Sequence, residues 1–168
     1  MFKTALIALA VMIALALAGA AQAATAHETL RAALACEGDP LDAVRSLAAT
    51  GSAGFAEGHA GFELGAEMDH VAGVVLREPL VIAGASTGTV VASLMSWHEG
   101  FGGHVHARFS GDHLPVVALL GLERAADGAG FRRPRPAADE PDAVCPPTVE
   151  LLPLPDGGFL LGCGWCNG

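Results

Sequence analysis

Residues 148–163 read TVELLPLPDGGFLLGC, and this stretch decides the fold that we expect for the chain. Its centre, Pro155-Asp156-Gly157-Gly158, lies between two apolar segments and is a strong signal for the turn of a β-hairpin. The register that we predict places Leu154 opposite Phe159. The stretch therefore predicts a pair of antiparallel strands near the end of the sequence.

The cysteines give a second constraint; they are Cys36, Cys145, Cys163 and Cys166. An even number of cysteines in an exported chain is typical of a disulfide framework, here two bridges with three possible pairings. Extending the hairpin register brings Cys166 close to Cys145, which favours that pair and leaves Cys163 to bond Cys36. The bridge from Cys36 would close a loop of more than 100 residues, worth about 4–5 kcal/mol in the chain-entropy model.

The beginning of the sequence has the pattern of a cleavable secretory signal peptide. Lys3 supplies a positive charge, Ala5–Ala18 is entirely apolar, and Ala21-Gln22-Ala23 is the small-x-small sequence that signal peptidase accepts. The apolar run is shorter than the roughly 20 residues that span a bilayer. We therefore predict that Met1–Ala23 is removed. Residues 24–168 are then expected to form a soluble domain in the periplasm or outside the cell, with no membrane insertion.

The charge of the chain restricts its partners. The net charge is −9, and removal of the only lysine, Lys3, with the signal peptide makes it −10. Such an acidic chain offers no attraction to nucleic acid or to anionic lipid, whereas it suits a basic exported protein. A basic patch is followed by an acidic one in the sequence: Arg132, Arg133 and Arg135, then Asp139, Glu140 and Asp142. The segment is either a second candidate for recognising a partner or a solvated connection.

The pattern of the mature sequence predicts one small α+β domain, mainly an antiparallel sheet of about five strands covered on one face. A capping box begins one helix at Thr25, and Pro40 begins another that ends at Gly51. A later helix is predicted over Leu114–Leu120. The predicted strands are Val71–Ala83, Thr89–Trp97, His104–Ser110, Thr148–Leu154 and Phe159–Cys163. Residues 125–147, which contain five prolines, are predicted as a long exposed loop.

A Gly-x-Ser-x-Gly sequence, Gly84-Ala85-Ser86-Thr87-Gly88, follows an apolar segment, as the nucleophile elbow of an α/β-hydrolase does. In that fold an acid and then a histidine follow the serine. Here the last histidine is His113, and the only acids before it are Glu99 and Asp112. The residues after the motif also favour a strand over the required helix. We therefore predict a Ser-Thr-Gly turn between two strands, with a small serine hydrolase acting through Ser86 as an alternative.

Two histidines form the candidate metal site. His104 and His106 share one face of a predicted strand because side chains alternate between its faces. Two imidazoles in this arrangement can bind a zinc or copper ion if a third ligand is present, and His98, Glu99 or His113 is a candidate for it. The competing interpretation is that both histidines are polar residues on a solvent-facing surface.

A Cys-x-x-Cys sequence, Cys163-Gly164-Trp165-Cys166, resembles the motif of thiol redox enzymes. In those enzymes the motif begins a helix, whose N-terminus lowers the thiol pKa. Only Asn167 and Gly168 follow in the sequence, so we interpret both cysteines as members of structural disulfides.

The sequence therefore contains no complete catalytic set, and we predict no cofactor. It favours a non-enzymatic binding or inhibitor-type role of an exported protein toward another protein. Metal binding by His104 and His106 is the alternative from a second functional class, and ester hydrolysis at Ser86 is the alternative from a third.

Overall fold

The computed structural model describes residues 25–38, 40–55, 70–97, 100–134 and 146–167, which contain three helices and eight strands. The helices are α1 (residues 25–34), α2 (Pro40–Ala49) and α3 (Leu114–Leu120). The strands are β1 (Ala53–Phe55), β2 (His70–Ile82), β3 (Ala85–Trp97), β4 (Gly100–Phe109), β5 (Glu123–Arg124), β6 (Phe131–Pro134), β7 (Thr148–Pro153) and β8 (Phe159–Asn167).

These strands form one antiparallel sheet in the order β1-β2-β3-β4-β8-β7-β6-β5. The first four strands form a meander, in which each strand pairs with the next. The chain then passes through α3 to the opposite edge, and β5 to β8 return as a second meander. Strand β8, which follows all the others in the sequence, therefore lies in the middle of the sheet.

The two faces of the sheet differ in burial, as the alternating pattern of β4 predicts. Val105, Ala107 and Phe109 are buried on the face that we call the inner face, whereas His104 and His106 are half-buried on the outer face. The helices add buried side chains to the same core: Ala26, Leu30, Ala33, Leu34, Ala43, Val44, Leu47 and Val116. The predicted α+β class, with a mainly antiparallel sheet, is confirmed.

The three helices end in the same way, with a residue in the left-handed conformation. This residue is Cys36 after α1 (φ 57°), Gly51 after α2 (φ 66°) and Gly121 after α3 (φ 60°). After α1, the amide of Glu37 donates a hydrogen bond to the carbonyl of Ala32 (2.7 Å), which is the long bond of a Schellman motif. Glycine is usual at this position because it lacks a Cβ. Cys36 is therefore the exception among the three.

Cys36 is bonded to Cys163, with the two Cα atoms 5.2 Å apart. Cys163 is 4% exposed on the inner face of β8, so the bridge fixes the end of α1 to the middle of the sheet. The predicted Cys36–Cys163 pair is confirmed. Cys145 lies outside the described residues, so the predicted Cys145–Cys166 pair stays a prediction, and the two-disulfide framework is confirmed only in its first bridge.

The prediction of about five strands is too low. The five predicted strands are present as β2, β3, β4, β7 and β8, and the sheet also contains β1, β5 and β6. These three have two to four residues each, too few to show an alternating pattern in the sequence. The predicted loop over 125–147 is correspondingly wrong at Phe131–Pro134, which form β6 and pair with β7. Residues 135–145 lie outside the described ranges.

The predicted β7–β8 hairpin is present, but its register differs from the predicted one by one residue. Pro153, not Leu154, lies opposite Phe159. Leu154 instead donates its amide hydrogen bond to the carbonyl of Gly158 (2.8 Å), and the Asp156 carboxylate accepts one from the Gly158 amide (3.2 Å). Because Gly158 is held opposite Leu154, the turn contains one residue fewer than predicted.

Candidate functional site

The candidate metal residues lie in an open groove on the outer face, which we call the histidine groove. The rings of His104 and His106 are stacked, with centroids 4.9 Å apart. Gly164 and Gly162 lie opposite them on β8, and Glu150 of β7 lies on the far side of Gly162. Both glycines line a groove of about 220 Å³ between β4 and β7, and the open space is at Gly164, where a Cβ would meet nothing within 4 Å.

The electrostatics of the groove favour uncharged imidazoles. Burial lowers the pKa of His104. Burial also lowers the pKa of His106, and the neighbouring His104 lowers it further because two adjacent positive charges repel. At neutral pH both rings are therefore more often neutral than an exposed histidine.

The predicted third ligands are not brought to this groove. His113 packs instead against Phe131 and Phe159, with ring centroids 5.7 and 6.4 Å away. His98 and Glu99 lie outside the described residues. Among the residues that the structure describes, no three His, Cys, Asp or Glu side chains are gathered in an arrangement ready to hold a metal ion.

The structure places Ser86 within a strand. The turn before it consists of Ala83 (φ 47°) and Gly84 (φ 87°), and Ile82 lies opposite Ala85. Two consecutive positive φ angles define the type I′ turn that favours tight hairpins. The predicted Ser-Thr-Gly turn is therefore wrong in position, because the turn begins three residues earlier, at Ala83. Ser86 is followed by the rest of β3 rather than by a helix, so the local geometry of a nucleophile elbow is not formed.

The Cys-x-x-Cys sequence also lies in a strand, within β8. Its first cysteine, Cys163, is bonded to Cys36 rather than to its neighbour in the motif. The sequence therefore does not form the local disulfide at the start of a helix that thiol redox enzymes use.

The charged residues of the predicted loop are only partly described. Arg132 donates a hydrogen bond to the carboxylate of Asp127 (2.8 Å). The Ala129 amide, and to a smaller extent Arg132, hold the pKa of Asp127 below its usual range. Arg133 belongs to β6, while the remaining members, Arg135, Asp139, Glu140 and Asp142, lie outside the described residues. A combined basic and acidic patch stays a prediction.

A second site, not predicted from the sequence, is a cleft of about 510 Å³ that we call the acid-rimmed cleft. Three parts of the chain line it: α1 with the turn that follows it, the tip of the β2–β3 hairpin, and the end of α3. Arg31 of α1 donates a hydrogen bond to the backbone carbonyl of Val81 (3.2 Å) and thus holds α1 against β2 near the hairpin. Two small residues, Ala32 of α1 and Ala35 directly after it, leave the space open.

The lining of the acid-rimmed cleft combines apolar and acidic groups. Val81 is 51% exposed and Leu119 is 62% exposed, and both line this depression. The carboxylates of Glu28 and Glu37 and the guanidinium of Arg31 complete the rim. The rim therefore has an excess of negative charge around an apolar centre.

Sequence reasoning missed this cleft because its walls come from segments that are distant in the chain. Glu28, Arg31, Ala32 and Ala35 follow helical spacing, which indicates one side of α1. Nothing in that spacing shows what lies opposite. The exposure of Leu119, next to the half-buried Leu120, likewise depends on how α3 crosses the sheet.

No protein-family model, curated protein or solved structure matches the chain. None of the helices that the structure describes has the length and apolar character needed to cross a membrane.

Proposed function

We propose that the chain is an exported, periplasmic binding protein that acts without catalysis, holding a basic segment of another protein in its acid-rimmed cleft. The observation that carries this proposal is the pairing of exposed Val81 and Leu119 with the acidic rim formed by Glu28 and Glu37. An aliphatic side chain of the partner would enter between Val81 and Leu119, and adjacent lysine or arginine residues would lie against the carboxylates.

The physical basis of the proposal is complementarity in both shape and charge. Burying the exposed part of two aliphatic side chains favours association by roughly 25 cal/mol per Å² of apolar surface removed from water. The net charge of −10 after removal of Lys3 attracts a basic partner over a longer range and raises the rate of encounter. An inhibitor-type role follows if the bound segment belongs to the active surface of a basic exported enzyme or toxin.

Site-specific cross-linking tests this proposal. A photoreactive amino acid at position 119 is expected to capture a basic exported protein, whereas the same residue at position 152 is not. Leu152 is the matched control because it is also an exposed leucine (42%) but lies on β7, away from the cleft. Equal capture at both positions, or capture of an acidic protein only, would contradict the proposal.

The captured protein then allows a quantitative test. We expect Leu119→Arg to weaken its binding by at least tenfold, because a bulky positive charge would enter an apolar, acid-rimmed depression. Leu152→Arg should leave the dissociation constant unchanged within about twofold. Titration calorimetry with the purified pair measures both values, and a Leu119→Arg variant that binds as tightly as the wild type would exclude the cleft as the binding site.

A further inference from the structure

We propose that the acid-rimmed cleft holds the basic segment of its partner in an extended conformation, with a peptide carbonyl of that segment bonded to the backbone N–H of Val81. This inference rests on the proposed function and adds the conformation in which the segment is bound. The observation that carries it is an open edge of β2, which faces the cleft at Val81.

The backbone of Val81 points away from β3. Val81 lies opposite Ser86 in the β2–β3 pair. The N–H and the C=O of Ser86 are both bonded to Ser110, at 3.0 and 2.8 Å, on the other side of β3. Opposite residues of an antiparallel pair alternate between hydrogen-bonded and non-bonded positions, so Val81 and Ser86 form a non-bonded position. Both backbone groups of Val81 are therefore directed to the side of β2 away from β3.

That side of β2 has no neighbouring strand at Val81 among the described residues. Strand β1 pairs with β2 at Val74–Leu76, and one further hydrogen bond joins the Arg77 amide to the carbonyl of Ser52 (2.9 Å). Beyond this point the side faces the cleft, where Arg31 donates its hydrogen bond to the Val81 carbonyl. No hydrogen bond to the N–H of Val81 is present in the part of the chain that the structure describes.

An unpaired N–H beside an arginine side chain recognises hydrogen-bond acceptors. A guanidinium has several N–H donors, so Arg31 has donors left for a second acceptor besides the Val81 carbonyl. The rim carboxylates of Glu28 and Glu37 repel a terminal carboxylate, whereas a peptide carbonyl is uncharged. A helix has its carbonyls bonded internally, but an extended segment presents them along its edge. The cleft therefore favours an extended internal segment.

The same edge does not suit a second copy of this chain. Pro79, two residues before Val81, has no N–H, and the backbone groups of Leu80 and Ile82 are directed toward β3. Addition of a long strand needs a row of donors and acceptors, and this stretch offers one donor. A second copy would also bring its own net charge of −9. A short basic segment of another protein is therefore the occupant that we propose.

Substitutions at Val81 separate the main-chain bond from the side-chain contact. Val81→Pro removes the N–H and keeps an apolar side chain, and a sheet accommodates proline where an edge N–H faces away from it. Val81→Ala is the matched control, because it keeps the N–H and shortens the side chain. For the protein captured at position 119, we expect Val81→Pro to weaken binding by about tenfold and Val81→Ala by about threefold. Titration calorimetry measures both values, and circular dichroism checks the fold.

Two outcomes of this comparison have different meanings. If Val81→Pro binds as tightly as Val81→Ala while Leu119→Arg still weakens binding, the main-chain bond is overturned and the cleft remains the binding site. If Leu119→Arg also binds as tightly as the wild type, the proposed function fails together with this inference.

The amide signal of Val81 gives a direct readout in the unaltered chain. The probe is an acetylated and amidated pentapeptide with one valine between two pairs of lysines. During a nuclear magnetic resonance titration, the Val81 amide proton should shift downfield and exchange more slowly with solvent, as hydrogen bonding requires. The same peptide with a free terminal carboxylate should bind no more tightly. An unchanged Val81 signal at millimolar peptide, or tighter binding of the carboxylate form, would contradict the proposal.

Discussion

Replacement of both Cys36 and Cys163 with alanine is expected to lower the free energy of unfolding by about 4–5 kcal/mol. The bridge joins residues 127 positions apart, so in the chain-entropy model its loss greatly increases the freedom of the unfolded chain. The melting temperature should fall by about 15 °C for a domain of this size. Urea denaturation followed by circular dichroism, without reducing agent, measures the effect.

The conformation of Cys36 allows a sharper comparison. The φ of Cys36 is 57°. Alanine at position 36 would have to adopt this left-handed conformation at an energetic cost after the bridge is lost, whereas glycine adopts it without a steric penalty. We expect Cys36→Gly/Cys163→Ala to be more stable than Cys36→Ala/Cys163→Ala by about 1 kcal/mol. Equal stability of the two variants would show that the left-handed position is not kept. A loss below about 1 kcal/mol in the alanine pair would argue against the bridge as a main stabilising element.

Gly162→Ala is expected to destabilise the sheet by about 2–3 kcal/mol, as overpacking of a well-packed site does. A Cβ at this position would overlap the carbonyl oxygen of Val105 and lie 2.7 Å from the Cβ of His106. Both neighbours belong to β4, which pairs with β8 at the centre of the sheet. Relief of the overlap therefore requires the central strands to separate locally.

Gly164→Ala is the matched control for this substitution, two residues further along the same strand. A Cβ at Gly164 would meet nothing within 4 Å. We therefore expect the free energy of unfolding of the Gly164→Ala variant to be unchanged or raised by up to about 1 kcal/mol, since alanine reduces the freedom of the unfolded chain. Thermal and urea unfolding of the two variants provide the comparison. If Gly162→Ala and Gly164→Ala proved equally stable, close approach of β4 and β8 at Gly162 would be excluded.

Several elements could be predicted from the sequence because their signals are local. Pro40 begins α2, the Asp112 carboxylate accepts the amide hydrogen bond of Leu114 at the start of α3 (3.0 Å), and Gly121 ends α3. The alternation of His104 and His106 with buried residues correctly indicated the two faces of β4. The short strands β1, β5 and β6 could not be predicted, because they have no alternating pattern of their own and form only by pairing with neighbouring strands.

The candidate functional sites also differ in how far local sequence patterns predict them. The side-by-side placement of His104 and His106 follows from strand geometry alone. The two glycines that line the groove lie beside them because β4 pairs with β8, which is distant in the sequence. The acid-rimmed cleft requires the crossing of α1, the β2–β3 hairpin and α3. Sequence patterns indicate which residues share a surface, whereas the surface opposite is determined by tertiary packing.

The central position of β8 determines when this domain can complete its fold. The strands before it divide into two groups, β1–β4 and β5–β7, which are joined in the sheet only through β8. Until β8 has been made, β4 and β7 each have one unpaired edge, and the thiol partner of Cys36 is absent. The Cys36–Cys163 bridge and the pairing of the two strand groups therefore both wait for β8, so we expect them to be among the last features of the fold to form.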